Sequence, residues 1–307
     1  MVSLLLQAQV PANSAALTGP SYPYETANYI FDRHSDALRI FPSRGNAITI
    51  ALPFRLHTAT FGPDGKSIYG VAIADRADVA RYKSGLVRVE FNPTRISPVP
   101  GAGGASIRSF AVSSRQDKIV ISGNLGQGNC GVFEILLSGG NVRQVLHTDC
   151  LHSRSWDDLS LSPNGEQAIA TFGSNIDRNL HLEMIDLVHG TTRSLGGEFV
   201  IGAWSPDGKW IVVREGGPRD QLFLMDATDF SRRRSLGGAV VLMPAWSPDS
   251  RYLLLWKGYL FRCGIYADLE PPATLETLDV QSGKRSTIRV SAARLRRARP
   301  AGSALKS

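Results

Sequence analysis

The segment AWSPDGKWIVV (203–213) returns as AWSPDSRYLLL at 245–255. Repetition at a spacing of about 40 to 50 residues constrains a fold more than composition does, because one supersecondary unit must then be stacked several times. Three further segments keep the register: SLSPNGEQAIA (160–170), TFGPDGKSIYG (60–70) and AVSSRQDKIVI (111–121), the last with its turn residues replaced. The proline slot falls at Pro63, Ser114, Pro163, Pro206 and Pro248, in steps of 51, 49, 43 and 42 residues. Such unequal steps fit a propeller with loops of varying length better than a solenoid.

The turn has a physical logic. In Ser205-Pro206-Asp207-Gly208, serine suits the first position of a type I turn, proline presets φ at the second and glycine suits the last. The flanking runs, rich in Trp, Ile, Val, Leu and Tyr, are of strand length and too brief for helices. Trp204 and Trp246, at equivalent positions, are expected to pack between neighbouring sheets. Each unit continues into a second hairpin, seen in LHLEMIDLVHGTTRSLGG (180–197), LFLMDATDFSRRRSLGG (222–238) and LETLDVQSGKRSTIRV (275–290). There an alternating strand ends in an Asp, and a polar turn leads to another strand. Four antiparallel strands per unit make the blade of a β-propeller.

These five copies, Ser-Pro-Asp-Gly-Lys-x-Ile followed by a strand, an Asp and a glycine turn, resemble the WD40-like repeat of TolB-type propellers. They are also similar to the propeller domains of prolyl oligopeptidases. The resemblance covers residues 28–290. Ahead of the first copy, NYIFDRHSDALRIFPSRGNAITIALPF (28–54) reads as three strands with no preceding turn hairpin. The expectation is therefore an all-β, six-bladed propeller of four-stranded antiparallel blades: five full repeats plus an N-terminal partial blade. In this family the missing innermost strand usually comes from the other terminus. Here the candidate is SAARLRRARPAGSALKS (291–307), which lacks a β-alternating run. Either it supplies a weak strand or that blade stays incomplete. The expected division is an N-terminal extension over 1–26, the propeller over 27–290 and a basic tail over 291–307.

A length of 307 residues alone would suggest about two domains, but a ring of blades is one. The net charge of +7 comes from 34 Lys and Arg against 27 Asp and Glu, and part of the excess sits in the tail at Arg294, Arg296, Arg297, Arg299 and Lys306. Without a nucleic-acid motif, that cluster reads as a solvated end rather than a nucleic-acid arm. No stretch approaches the roughly 18 apolar residues of a transmembrane helix. MVSLLLQAQVPANSAALTGP (1–20) lacks a basic n-region, and its apolar run is broken by Gln7 and Gln9, so it is at best a degenerate export signal. The resemblance implies a periplasmic or secreted protein; a cytoplasmic one is the alternative.

The usual enzyme signatures are absent: no Gly-x-Ser-x-Gly elbow, P-loop, His-Glu-x-x-His or Cys-x-x-Cys pair occurs. The sequence gives no reason to expect a cofactor. HTDCLHSRSWDD (147–158) gathers reactive side chains, among them His147, Asp149, His152, Asp157 and Asp158, but their spacing matches no known metal finger. It reads as a loop entering a blade.

Blade geometry ranks the surfaces. The Ser-Pro-Asp-Gly turns and the late glycine turns open on one face; the connections between second and third strands, and between blades, open on the other. Loops held by a rigid scaffold commonly carry function. On that loop face Arg76, Arg81, Arg214, Arg219 and Arg262 are interleaved with Tyr82, Trp256 and Tyr259, a composition suited to a protein or peptide partner. The function expected is a monomeric, non-catalytic binding scaffold acting through this face and the central channel. A channel-mouth hydrolase or lyase, and an accessory fragment of a larger protein, are the alternatives.

Of the three cysteines, Cys130 and Cys150 flank a hairpin centred near residue 140. That symmetry sets them opposite each other, with Cβ atoms about 4.5 to 5.5 Å apart, near but slightly beyond disulfide spacing. An oxidising compartment would close the bond and a reducing one would leave two thiols. Cys263 is expected to stay single in its loop.

Overall fold

The computed structural model of the chain describes residues 27–31, 37–42, 48–52, 54–62, 66–73, 85–91, 93–113, 118–126, 128–150, 155–173, 180–196, 199–215, 221–238, 245–247, 249–257, 260–263, 266–269 and 274–288. The expected N-terminal extension and basic tail lie outside them.

The first sheet holds three strands in the order β1 (Ala27–Phe31), β2 (Ala37–Pro42) and β3 (Ile48–Ala51). Five four-stranded antiparallel blades follow. Blade one is β4 (Arg55–Phe61), β5 (Ser67–Ile73), β6 (Gly85–Phe91) and β7 (Thr94–Pro98). Blade two is β8 (Ser106–Val112), β9 (Lys118–Asn124), β10 (Cys130–Leu136) and β11 (Val142–Thr148). Blade three is β12 (Ser155–Leu161), β13 (Gln167–Gly173), β14 (His181–Asp186) and β15 (Thr191–Ser194). Blade four is β16 (Phe199–Trp204), β17 (Trp210–Glu215), β18 (Gln221–Asp226) and β19 (Arg233–Gly238). Blade five joins β20 (Ala245–Trp246), β21 (Tyr252–Lys257), β24 (Thr274–Asp279) and β25 (Arg285–Ile288). Between β21 and β24 a separate hairpin is inserted, β22 (Leu260–Cys263) with β23 (Tyr266–Leu269).

The propeller thus has five complete blades among the described residues, not the six expected. The first sheet stops at three strands because no turn-bearing hairpin precedes β1, and no described segment pairs with the free edge of β1.

All five blades share one hairpin closure. The backbone amide of Gly62, Ser113, Ser162, Ser205 or Ser247 donates to the carbonyl five residues on, at 2.8 to 3.1 Å. In blades three to five the serine hydroxyl adds a second link: it accepts the amide of Gln167, Trp210 or Tyr252 at 3.0, 2.9 and 2.7 Å. It also donates to Asn164, Asp207 or Asp249 at 2.6 to 2.7 Å. The degenerate second copy keeps the closure through buried Ser113. The late aspartates are turn caps: Asp186 accepts the amides of Val188 and His189, Asp226 those of Thr228 and Asp229, and Asp279 those of Gln281 and Ser282. These bonds hold all three carboxyls below their ordinary range; the chief cause is the His189 amide for Asp186, the Thr228 hydroxyl for Asp226 and the Ser282 amide for Asp279.

Blades stack face to face, and the core lies between them. Val120 and Val132 of blade two meet Trp156, Leu159, Ala168, Ala170 and Ile185 of blade three, while Ile169, Leu182 and Met184 on the opposite face of blade three meet Trp204, Ile211, Val213 and Met225 of blade four. Among the described residues no helix is long and apolar enough to cross a membrane.

Trp204 bridges two sheets and is 8% exposed, whereas Trp246 is half-buried at the edge of the blade-five cluster. Trp204→Ala should cost about 3 to 5 kcal/mol, and Trp246→Ala should cost less. Urea midpoints would measure both; a loss below about 1 kcal/mol for Trp204→Ala would mean the ring does not join the blades.

Candidate functional site

In a propeller the first strand of each blade lies nearest the central channel; here β12 contacts both β8 and β16, and each first strand begins at the loop face. Near that end four of them carry the same irregularity. The register slips by one extra residue between Leu56 and Ala59 in β4, between Ile107 and Ser109 in β8, between Asp157 and Ser160 in β12 and between Phe199 and Ile201 in β16. Such bulges re-aim side chains and recur next to functional sites. The bulge in β8 carries the exposed Arg108, and the bulge in β12 carries Asp157 and Asp158.

Blade three holds this acidic pair firmly. Just before it, Trp156, Phe172 and His181 form one row across β12, β13 and β14, with ring centroids 4.8 and 5.6 Å apart. The indole Nε1 of Trp156 donates to Glu183 Oε2 at 2.9 Å, and Glu183 Oε1 lies 3.2 Å from His181 Nε2. Just after it, the amide of Leu159 donates to the Ser109 hydroxyl of blade two at 2.9 Å. Between these fixed points Asp158 adopts φ 52°, a left-handed backbone that is uncommon outside glycine. The residue is exposed to solvent, although protein atoms crowd its carboxyl. Poor hydration, and secondarily the charge of Asp157, push it up to about 6.

The residues expected on the loop face divide. Arg76, Arg81, Tyr82, Arg219 and Tyr259 lie outside the described residues. Arg214 is not in a loop: it sits half-buried near the end of β17, paired with Ile201 and Leu222. Trp256 is the last but one residue of β21, opposite Leu275, and Arg262 lies in β22 opposite Ala267, so the long segment expected as a loop contains a β-hairpin. Cys263 stands in that hairpin, in β22 rather than a loop.

The segment 147–158 is likewise only partly a loop. His147 belongs to β11 opposite Gly131, Asp149 lies in the link, His152 is outside the described residues, and Trp156, Asp157 and Asp158 belong to β12. Among the described residues no group of three or more His, Cys, Asp or Glu is placed to hold a metal ion. Cys130 and Cys150 are joined by a disulfide with Cα atoms 5.5 Å apart. Their register differs from the symmetric expectation. Cys130 pairs with Thr148 because the hairpin turn centres between Ser138 and Gly139 rather than at residue 140; the extra residue Val145 in β11 moves the register one step towards Cys150, which reaches back from the link. The bond ties the loop-face end of β10 to the chain that enters β12.

Comparison with solved structures places this architecture. TolB from Acinetobacter baumannii superposes with a TM-score of 0.63 at 16% identity, over 90% of this chain and 66% of that one. A TolB candidate from Agrobacterium tumefaciens gives 0.57 at 17% identity, over 79% and 83% of the two chains. The fold is a TolB-like β-propeller. An oligogalacturonate lyase in complex with manganese is also similar, with a TM-score of 0.55 at 13% identity over 84% of this chain and 72% of that one. No protein-family model and no curated protein sequence matches the chain. The chain spans just under two thirds of the length of the Acinetobacter TolB.

In this TolB-like propeller the Asp158 carboxyl binds its proton more tightly when folded than at its ordinary value of 3.8. The charged form therefore opposes folding above about pH 6, and the cost fades as pH falls from 6 to 3.8. Asparagine tolerates the left-handed backbone, so Asp158→Asn isolates the charge. The variant should unfold at higher denaturant than the parent at about pH 8 and match it below pH 3.8. An equal gain at both pH values would assign the effect to something other than this proton.

Proposed function

We propose that the chain is a non-catalytic binding propeller that presents its loop face and channel mouth to a protein or peptide partner. The observation that carries this reading is the Asp157–Asp158 bulge, a strained and charged backbone feature held rigid at the channel mouth. Strain of this kind persists where the surroundings over-determine it, and it clusters at ligand clamps. Arg108 on the adjoining innermost strand brings the opposite charge to the same end, a mixture suited to polypeptide rather than to a polyanion. The rim of the proposed site would be supplied by Arg76, Arg81, Tyr82, Arg219 and Tyr259, which lie outside the described residues, together with Arg262 of β22, Arg214 near the end of β17 and Trp256 near the end of β21. The protein acts as a monomer and needs no cofactor.

A second reading rests on the same carboxyl. A group titrating near 6 can exchange protons at neutral pH, so a channel-mouth hydrolase or lyase remains the alternative. One of the similar structures is a lyase for oligogalacturonate, crystallised with manganese. Release of unsaturated uronide from oligogalacturonate, with manganese supplied, would favour it over binding alone.

To test the binding reading, the intact chain is offered a display library of random peptides. Enriched peptides should bind the Asp157→Asn/Asp158→Asn variant at least about tenfold more weakly, the effect of losing a hot-spot contact, with its melting temperature not lowered. Peptides that bind both proteins equally would remove the channel mouth from the site.

The disulfide supports an oxidising compartment, periplasmic or extracellular. Protein recovered from such a compartment should show a single free thiol, Cys263, when denatured without reductant. Recovery of all three cysteines as thiols would point to a reducing compartment.

A further inference from the structure

We propose that the outer rim where blade three meets blade four binds an extended acidic segment of a polypeptide, gripped by Arg193 and Arg233. Both arginines stand on outermost strands, β15 and β19, rather than on the innermost strands of the proposed channel-mouth site, and the proposal stands whether or not the loop-face reading does.

Both arginines are exposed, yet both are held in place by aromatic rings. The guanidinium carbon of Arg193, in β15, lies 4.6 Å from the ring centroid of Phe230, in the β18–β19 turn of the next blade. That of Arg233, in β19, lies 5.5 and 5.4 Å from the rings of Phe199 and Phe223, which meet edge to face at 6.1 Å. The three rings belong to or pack on the apolar cluster that joins the two blades, so they are themselves fixed. An aromatic face attracts a guanidinium but takes none of its N–H donors. The charge is thus positioned without being neutralised.

Carboxylates elsewhere on the rim do not quench these charges. Arg232 pairs with Asp229 at 3.1 Å, and Arg234 donates to the Val280 carbonyl of blade five. Among the described residues neither Arg193 nor Arg233 meets a carboxylate; Arg193 has only the Met184 sulfur, at 3.9 Å, besides its ring. A planar, always-charged fork with free in-plane donors matches a carboxylate bidentately. Because the rings already restrict both side chains, less rotamer entropy is lost on binding.

The backbone beside them favours a polypeptide over a lipid surface or a free anion. All four residues of β15 are exposed, and among the described residues β15 pairs only with β14. Its outer edge can accept a further strand, whose alternate side chains would face one way along the rim. Asp226, at the end of β18, and Asp229, in the turn that follows, stand next to Arg233; a peptide with spaced acidic residues can place neutral ones against them, whereas a continuous sheet of anionic headgroups cannot.

The test uses a fluorescein-labelled peptide of alternating Glu and Thr residues, followed by anisotropy against the full chain at low salt. Arg193→Gln/Arg233→Gln should weaken binding by about tenfold or more, as expected for losing charge-assisted contacts. Arg95→Gln/Lys284→Gln removes the same charge from exposed positions in blades one and five and should change binding less than about twofold. Should the glutamine pair fail to fold, Arg193→Lys/Arg233→Lys keeps the charge, loses the planar fork and should still weaken binding. Equal losses in the rim and control variants would reduce the effect to net charge and overturn the proposal. So would an unbound peptide, including the case in which phosphatidylglycerol vesicles bind instead.

Discussion

The blades depend on the closure of their first hairpin. In blades three to five a serine hydroxyl performs it, accepting the amide five residues downstream while donating to the Asx side chain within the turn. Ser205 is fully buried, so without that hydroxyl the Trp210 amide would lose a partner in a place that water does not easily reach. The same turn shows how one blade registers on the next. The fourth turn position is left-handed in each case, Gly165 at φ 73°, Gly208 at φ 77° and, in blade five, Ser250 at φ 60°. A serine costs about 1 to 2 kcal/mol there, but its hydroxyl accepts the Asp207 amide of blade four at 2.9 Å. Backbone strain in one turn is offset by a bond between blades.

Similar bonds recur at two radii. Close to the axis, Ser109 accepts the Leu159 amide and Ser160 accepts the Trp204 amide, each from one blade to the following one. At the rim, arginines on outermost strands donate to carbonyls in the neighbouring blade: Arg143 to Leu187, Arg234 to Val280 and Arg285 to Leu236. Blade-to-blade stability thus comes from the strands and from the turns opposite the loop face. The connections on the loop face are left free to vary in length, which is why the repeat steps are unequal while the hairpin closure is constant.

The repeat was legible because its chemistry is local. A Ser-Pro-Asp-Gly turn, or an Asp followed by a glycine turn, names its own hydrogen bonds, and even the worn second copy kept the serine that matters. What depends on register was not legible. A bulge inserts one residue without a compositional mark, so four bulged innermost strands, and the shift that pairs Cys130 with Thr148, left no trace in the pattern. Arg214 was expected in a loop because Glu215 and the glycines after it read as a break, yet the strand runs on to Glu215. The hairpin in 260–269 was hidden for the opposite reason: Arg262, Cys263 and Gly264 interrupt its alternation. A signal for the channel mouth was present in Ser155-Trp156-Asp157-Asp158-Leu159, since two aspartates rarely sit in the middle of a strand.

The architecture does not require the strain at Asp158. Strands β8 and β16 make the same one-residue slip, and the only described non-glycine residues with left-handed φ are Asp158 and Ser250. Ser250 gains an inter-blade hydrogen bond from its conformation. Asp158 shows no such bond among the described residues, and its exposed carboxyl, crowded by protein atoms and beside the like charge of Asp157, holds its proton up to about pH 6. Both the backbone and the ionised side chain therefore oppose folding at this one position. They are tolerated because Trp156 is tied to Glu183 on one side and Leu159 to Ser109 on the other, which confines the cost to the bulge. Asp158 thus carries two local costs that the bulges of β8 and β16 do not show among the described residues, and the binding role proposed for the channel mouth would account for them.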